Sequence, residues 1–420
     1  MNGQKVVIAL LVCTVVASGS EKITFMSTQL VPIAEAEWVR SELLPRFTKE
    51  TGIDVVFVGA GYGEFADRLV AEYKAGKGTI ALAGGLHGDY TPLVRTLTDL
   101  SKEFADLQAL GDRTFIPAFV ELGRLNKIQA YIPWTQGTYL MVVNKMALDY
   151  LPEGVDIRAL TYDDLLAWAK NIYEATGDKK LGIPAGPRSL LHRFVHGYLY
   201  PSFTGYQVIK FDSPEAIKMW RFVKELWQYV NPAVATWDAM DTPLLSGEVW
   251  IAWDHGARLK QAIIERPDDF IAIPAPAGPR GRGIITVLAG LAIPKASPNP
   301  EAATRLIEFL TRPQTQVIIL KGVGFFPVVK EAIGTAPEGP LKVLADGVMA
   351  QASSKDLITA FIPSGLGTRS GEFSKIYRDT FVEIVVKRRP IREVLSRQGR
   401  LLKRLFQETG APYPPPDESR

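Results

Sequence analysis

The residues best suited to hold a small polar molecule are aromatics beside carboxylates and amides. Flat aromatic faces pack on the C–H side of a sugar ring, and carboxylates or amides pair with its hydroxyls, because an unpaired buried hydroxyl costs about 1–3 kcal/mol. Trp253-Asp254-His255-Gly256 supplies both groups at the end of an apolar run, and α/β folds bind ligands at strand ends that face a cleft. On an extended chain Trp250 and Trp253 point to opposite faces. That puts Trp250 in the core and leaves Trp253 and Asp254 either on a ligand or in the core, with Asp254 capping the next helix. Trp237-Asp238, after the break at Pro232, reads as a loop aromatic or as a hydrophobic lid.

Tyr62 lies in the turn Gly59-Ala60-Gly61-Tyr62-Gly63, where a helix start exposes N–H groups that suit hydroxyls or anions. His87-Gly88-Asp89-Tyr90 is a polar loop that reads as a ligand contact or as ordinary surface. Arg188, after Pro184, Gly186 and Pro187, and Arg369, after Gly367, leave an anionic substituent open; each also reads as a surface or structural arginine.

Catalytic patterns fail on spacing. The third glycine of a dinucleotide loop beginning at Gly59 and Gly61 would fall on Glu64, and Gly76-Lys77-Gly78 lacks both the hydroxyl residue and the leading glycine of a P-loop. His192 and His196 are four apart, but Arg193 stands where a zinc protease needs its glutamate. No G-x-S-x-G elbow occurs. The carboxylate pairs Asp163-Asp164 and Asp268-Asp269 fall at helix starts or in loops, where capping is the simpler role.

The elements that must position these residues alternate helical periods with short β-rich runs over 420 residues, 47% of them apolar, enough for two large domains. Ile23 to Ser27 and Ile53 to Val58 read as strands. Residues 34 to 48 form an amphipathic helix that Pro45 must bend or shift in frame. Glu64 to Lys74 is a helix, Tyr131 to Asn144 is extended, Thr161 caps a helix from Tyr162, and Ser213 with Pro214 opens another. Pro274 to Gly283 is a Pro/Gly loop, Thr286 to Ile293 a buried strand, and Pro300 to Thr311 a helix stopped by Pro313.

At the N-terminus Lys5, the apolar run Val6 to Val16 and the small residues Ala17 to Ser20 form an export signal, too short for a bilayer that takes about 20 apolar residues. Cys13, the only cysteine, sits in a box whose Val12 replaces a small residue, so plain secretion is expected ahead of a lipid anchor. Without it the mature chain has no thiol for catalysis or for zinc. The formal charge of +3 gives no reason to expect nucleic acid. From Lys375 to Arg420 there are 11 basic and 6 acidic residues. Lys387 to Leu405 reads as an amphipathic closing helix with a solvated basic face, or as a face for anionic lipid headgroups.

Several blocks then resemble one family. They are Pro274-Ala275-Pro276 with its glycines, Ala289-Gly290-Leu291-Ala292-Ile293-Pro294-Lys295, Ser297 to Ala303, Phe309-Leu310-Thr311, Phe47 to Ile53, Asn144-Lys145, Gly247 to Trp253, and Gly324 to Val328. Their order is similar to that of the extracellular solute-binding proteins of ABC importers, maltose-binding-like family 1. Thr79 to Leu82 and Gly84 to His87 depart from its pattern.

The resemblance implies an α/β periplasmic-binding-protein type II fold with an interlobe hinge and ligand cleft. Lobe 1 would take residues 21–130 and 284–330, lobe 2 residues 131–283 and 331–405, and a flexible tail residues 406–420. It further implies a monomeric, non-catalytic receptor in the periplasm or at the cell surface, without metal or cofactor, that delivers a mono- to oligosaccharide to an ABC permease. Trp134 and Gln136, at the crossing between lobes, and Gly290 join the expected ligand contacts. The alternatives are a secreted glycoside-active enzyme, or the same fold holding a polyol or an anionic solute.

Overall fold

The computed structural model describes residues 21–334 and 339–417. The export signal and Cys13 lie outside the described residues.

Strand β1 (Glu21–Ser27) is paired in parallel on both sides, with β2 (Ile53–Gly59) and β3 (Ile80–Leu86). The helical segment between β1 and β2 is α-helical over Ile33–Trp38, widens to a π-turn over Val39–Leu43, and is α-helical again over Leu44–Thr51. Pro45 explains the widening. It has no N–H to donate, and its ring would strike the carbonyl one turn back, so the chain inserts slack just before it. Gly52, at φ +74°, ends the helix in the left-handed conformation.

Chain exchange between two sheets falls on neighbouring strands. β4 (Ile132–Gly137) runs through Thr138 into β5 (Tyr139–Asn144), which lies in a second sheet with β6 (Leu181–Gly182), β7 (Ile251–His255) and β8 (Phe270–Ile273), in the order β8-β5-β7-β6. The eleven-residue β9 (Arg282–Ala292) pairs in parallel with β10 (Leu357–Phe361) through its first half. Its second half is antiparallel to both β3 and β4. A third connection follows beside them, where the Gln136 and Phe326 backbones exchange hydrogen bonds of 2.9 and 2.8 Å.

Two principal cores follow from this layout. One gathers Phe25, Phe47, Trp134 and Leu288 around the first sheet. The other gathers Tyr139, Trp168, Trp253 and Tyr377 on one face of the second, whose opposite face holds a smaller cluster with Leu140, Phe270 and Leu344. Alternation along β5 sends Leu140 and Met141 to opposite faces.

Local signals set the helix starts. Thr161 and Asp164 form a capping box at Tyr162–Thr176, Ser213 accepts from the Ala216 N–H ahead of Pro214–Leu226, and Asn299 accepts from Ala302 ahead of Pro300–Thr311. Pro313 does more than end that last helix. It opens the next, Pro313–Val323, from the first turn, where its missing N–H goes unused.

The expected flexible tail from residue 406 is corrected. Helix Ile391–Thr409 includes its first residues and buries Val394, Leu395, Leu402, Leu405 and Phe406 beneath an exposed basic face. Beyond Gly410, Tyr413 packs on Phe406 at 4.9 Å. Asp417 is buried and accepts from the backbone N–H groups of Gln207, Val208 and Ile209 at 2.6–2.7 Å. Three donors on one carboxylate tie this end down.

Candidate functional site

A cavity of about 140 Å³ lies between the halves, lined from one side by Leu86, Gly88 and Asp89 and from the other by Arg193, Ser370 and Ser374. Asp89 stands on the turn His87–Tyr90 that follows β3. Its carboxylate accepts from the Leu86 N–H at 2.9 Å and the Thr28 hydroxyl at 3.0 Å. Burial outweighs those donors and pushes its pKa up to about 6. Tyr62, at the start of helix Tyr62–Ala75, feels the same carboxylate: burial first, then the charges of Asp89 and Asp67, push its hydroxyl up to about 12.

The turn is anchored by its other residues. The Tyr90 hydroxyl donates to the carbonyls of Ala83 (3.1 Å) and Gly290 (2.7 Å), and its ring stacks on Tyr131 at 4.8 Å. Burial lowers His87 to about 4, so it is neutral at pH 7. Its Nδ1 accepts from the Leu288 N–H at 3.3 Å while Nε2 lies 3.1 Å from the Ile362 carbonyl, an arrangement met by the Nε2–H tautomer.

Arg193 comes from a helix that changes geometry at that point, α over Leu191–Arg193 and π over Phe194–Leu199, before Tyr200–Thr204 resumes as α. Its guanidinium is buried and hydrogen-bonds the Tyr139 side chain, and its Nε has no partner. Below it Tyr139 stacks on Trp253 at 5.2 Å and 11° and meets His255 edge-on at 5.0 Å. Burial and the neighbouring guanidiniums hold His192, His196 and His255 below their ordinary range, so these rings carry no charge at neutral pH.

A second contact between the halves joins helix Ile33–Trp38 to helix Lys260–Glu265. Burial pushes Glu35 up to about 7 against the opposing charges of Lys260 and Arg258, and Lys260 Nζ donates to the Gly322 carbonyl at 2.7 Å.

The structure therefore brings Asp89 and Tyr62 to the cavity with Arg193 and separates the other expected residues from it. Trp134 is fully buried, edge-on to Phe25 at 5.5 Å. Gln136 donates to the Pro327 carbonyl at 2.9 Å and lines a different, mostly apolar cavity of about 230 Å³ with Thr138, Phe326 and Met349. Tyr90 and Gly290 are packed with Tyr131 beneath the turn. Trp237 is half-buried, and next to it Asp238 pairs with the exposed Arg188 at 3.0 Å. Arg369 is held at the surface by Glu372 (2.7 Å) and Glu408 (2.9 Å).

Trp250 and Trp253 exchange their expected places. Trp253 is fully buried, whereas Trp250 is only half-buried, stacked on Tyr150 at 5.8 Å with Lys180 over its ring. β7 begins at Ile251, so the alternation that counts is Ile251, Trp253 and His255 inward. Asp254 turns to the other face, accepts from the N–H groups of Met240 (3.2 Å) and His255 (2.7 Å), and is pushed by burial to about 8.

Arg193, Tyr139 and the Glu35–Lys260 contact were missed from sequence. A signal existed for the first: Arg193 is the only charged residue between Leu190 and Tyr200. Among the described residues no group of three His, Cys, Asp or Glu side chains is placed to hold a metal, and no helix is long and apolar enough to cross a membrane.

Two α/β halves with separate cores, joined by neighbouring strands around a cleft, make the type II periplasmic-binding-protein fold of maltose-binding kind. Solved structures share it. Maltose-bound MalE3 of T. maritima has a TM-score of 0.69 at 18% identity, covering 91% of this chain and 99% of that one. UgpB of Mycobacterium tuberculosis with glycerophosphocholine has 0.72 at 20%, covering 93% and 99%. The GacH receptor of Streptomyces glaucescens, solved unliganded and with acarbose, has 0.70 at 16%, covering 93% and 99%. At these identities the likeness is one of fold. No curated protein matches the chain.

The profile of the bacterial extracellular solute-binding proteins matches residues 32–317, and the chain belongs to that family. Its members are binding proteins rather than enzymes, and the family implies a small-molecule ligand and an ABC permease as partners.

Proposed function

We propose that this chain is the exported, monomeric receptor of an ABC importer, which closes two hinged lobes around a polyhydroxylated solute and releases it chemically unchanged. The lobes are those expected from sequence, with 21–130 and 284–330 in one and 131–283 and 331–405 in the other. A carbohydrate of one to a few units, or a related polyol, is the ligand class.

The observation that carries this reading is that Asp89 and Arg193 face one cavity from opposite halves without pairing with each other. A hydroxyl donates to a carboxylate and accepts from a guanidinium, so a solute rich in hydroxyls satisfies both, and does so only when the halves are together. Binding then shifts an open–closed equilibrium by its difference in affinity for the two states. The structural neighbours named with maltose, acarbose and glycerophosphocholine support a polar, hydroxyl-bearing ligand. Export by the N-terminal segment 1–20 belongs to the same reading.

Calorimetric titration with a panel of sugars and polyols, followed by recovery of the solute, tests it. Saturable heat with the solute intact is the expected result. Product formation would replace the receptor with a glycoside-active enzyme.

A further inference from the structure

We infer that the solute held in this cleft carries an anionic group, a phosphate or a carboxylate, gripped by Arg193; the inference rests on the receptor reading above. A buried guanidinium is stable only when paired and hydrogen-bonded. Arg193 is buried, yet its Nε has no partner, and its side-chain hydrogen bond goes to Tyr139, a neutral phenol. No carboxylate among the described residues forms an ion pair with it.

The nearby groups do not supply the missing charge. Asp89 attracts Arg193 across the cavity, but its carboxylate is committed to Thr28 and the Leu86 N–H. Two further guanidiniums of the same half also lean on neutral acceptors. Arg378 donates to the carbonyls of Gly186 (2.9 Å) and Ser189 (2.5 Å), and Arg258 donates to the carbonyl of Asp238 (2.7 Å). Both add to the positive field at His192, which itself stays neutral. The nearest fixed negative charge on that side, Asp238, already pairs with Arg188. The second half therefore presents its guanidiniums to the cleft with little internal compensation.

The rest of the lining suits the same group. Ser370 and Ser374 offer hydroxyl donors beside Arg193, while Gly88 and Gly367 add no side-chain bulk. A planar guanidinium meets carboxylate or phosphate oxygens in a fork, which a lysine cannot reproduce. Because Asp89 faces the same space and favours a donor, the anion belongs to a molecule that also carries hydroxyls. That describes a polyol phosphate, a sugar phosphate or a uronic acid, and not a bare inorganic anion.

The test uses matched pairs on the intact mature chain at low salt. These are glycerol against glycerol phosphate, and glucose against glucose phosphate and glucuronate, each by calorimetry and thermal shift. The expected result is an anionic member bound at least about tenfold more tightly than its neutral parent, in line with a charge-assisted hydrogen bond. The preference should shrink as salt is added. The phosphate and carboxylate arms identify the anion. In Arg193→Gln the pair should fall within about threefold of each other, and Arg193→Lys should keep only part of the preference. Should Arg193→Gln not fold, the wild-type pairs decide alone. Neutral parents bound as tightly as their anions overturn this inference and leave the receptor reading standing, whereas no binding by any member overturns both.

Discussion

Gly290 lies against the ring of Tyr131 so closely that a Cβ on it would overlap that ring, while its carbonyl accepts the Tyr90 hydroxyl at 2.7 Å. The contact falls where β9 meets β4 and the register between them slips, between Ala289 and Gly290. Tyr131 is itself fully buried and pinned by a 2.6 Å hydrogen bond to the Leu122 carbonyl, so it has nowhere to move. Gly290→Ala should therefore destabilise the fold by about 1–3 kcal/mol through overpacking. A urea midpoint equal to that of the wild type would sink this account.

A second prediction concerns pH. Burial lifts Asp254 from 3.8 to about 8, so the folded chain keeps a proton that the unfolded chain releases above about pH 4. Its contribution to stability is complete below pH 4 and is lost as pH rises through 8. His255 and His87 act with the opposite sign. Their folded values, about 3 and about 4, lie below 6.5, so their contribution is present above pH 6.5 and is lost as pH falls toward those values. Thermal midpoints from pH 5 to 8 should fall less steeply in Asp254→Asn than in the wild type, and identical slopes would rule the assignment out.

The Lys260 contact with Gly322 joins the two halves at a point remote from Arg193. If the halves swing as proposed, Lys260→Met removes a hydrogen bond worth about 1 kcal/mol from the closed form and favours the open one. Small-angle scattering of the ligand-free variant should give a larger radius of gyration than the wild type. An unchanged radius would show that the contact does not hold the cleft shut.

Asp417 offers a direct check on the C-terminal end. Asp417→Ala leaves three backbone N–H groups without their acceptor and should cost about 1–3 kcal/mol. Faster amide exchange at Gln207, Val208 and Ile209 should accompany the loss. Wild-type exchange at those three amides would mean that the carboxylate is not holding them.

Much of the framework was legible because its signals are local. Thr161, Ser213 and Asn299 mark helix starts through hydrogen bonds spanning three residues, and Pro45 announces a change of frame wherever the helix packs. The cleft was not legible in the same way. Alternation along β7 says that Trp253 and Asp254 face opposite ways, but not which face meets a helix and which meets solvent, and here neither is exposed. Asp89 and Tyr62 were found because turns at strand ends present polar groups whatever the partner. Arg193 was discarded as the residue that spoils a zinc motif, although a lone charge in an apolar stretch has to be answered by something from far away in the chain.

The π-turn over Phe194–Leu199 has a consequence for how this chain tolerates change in length. Such a turn carries one residue more than an α-helix would, and each residue advances a helix by about 100°. Deleting any one of those six would let the segment tighten to ordinary geometry and swing Tyr200 and all that follows around the helix axis, even with every remaining side chain unchanged. At this place the count of residues constrains the molecule more strictly than their identities do.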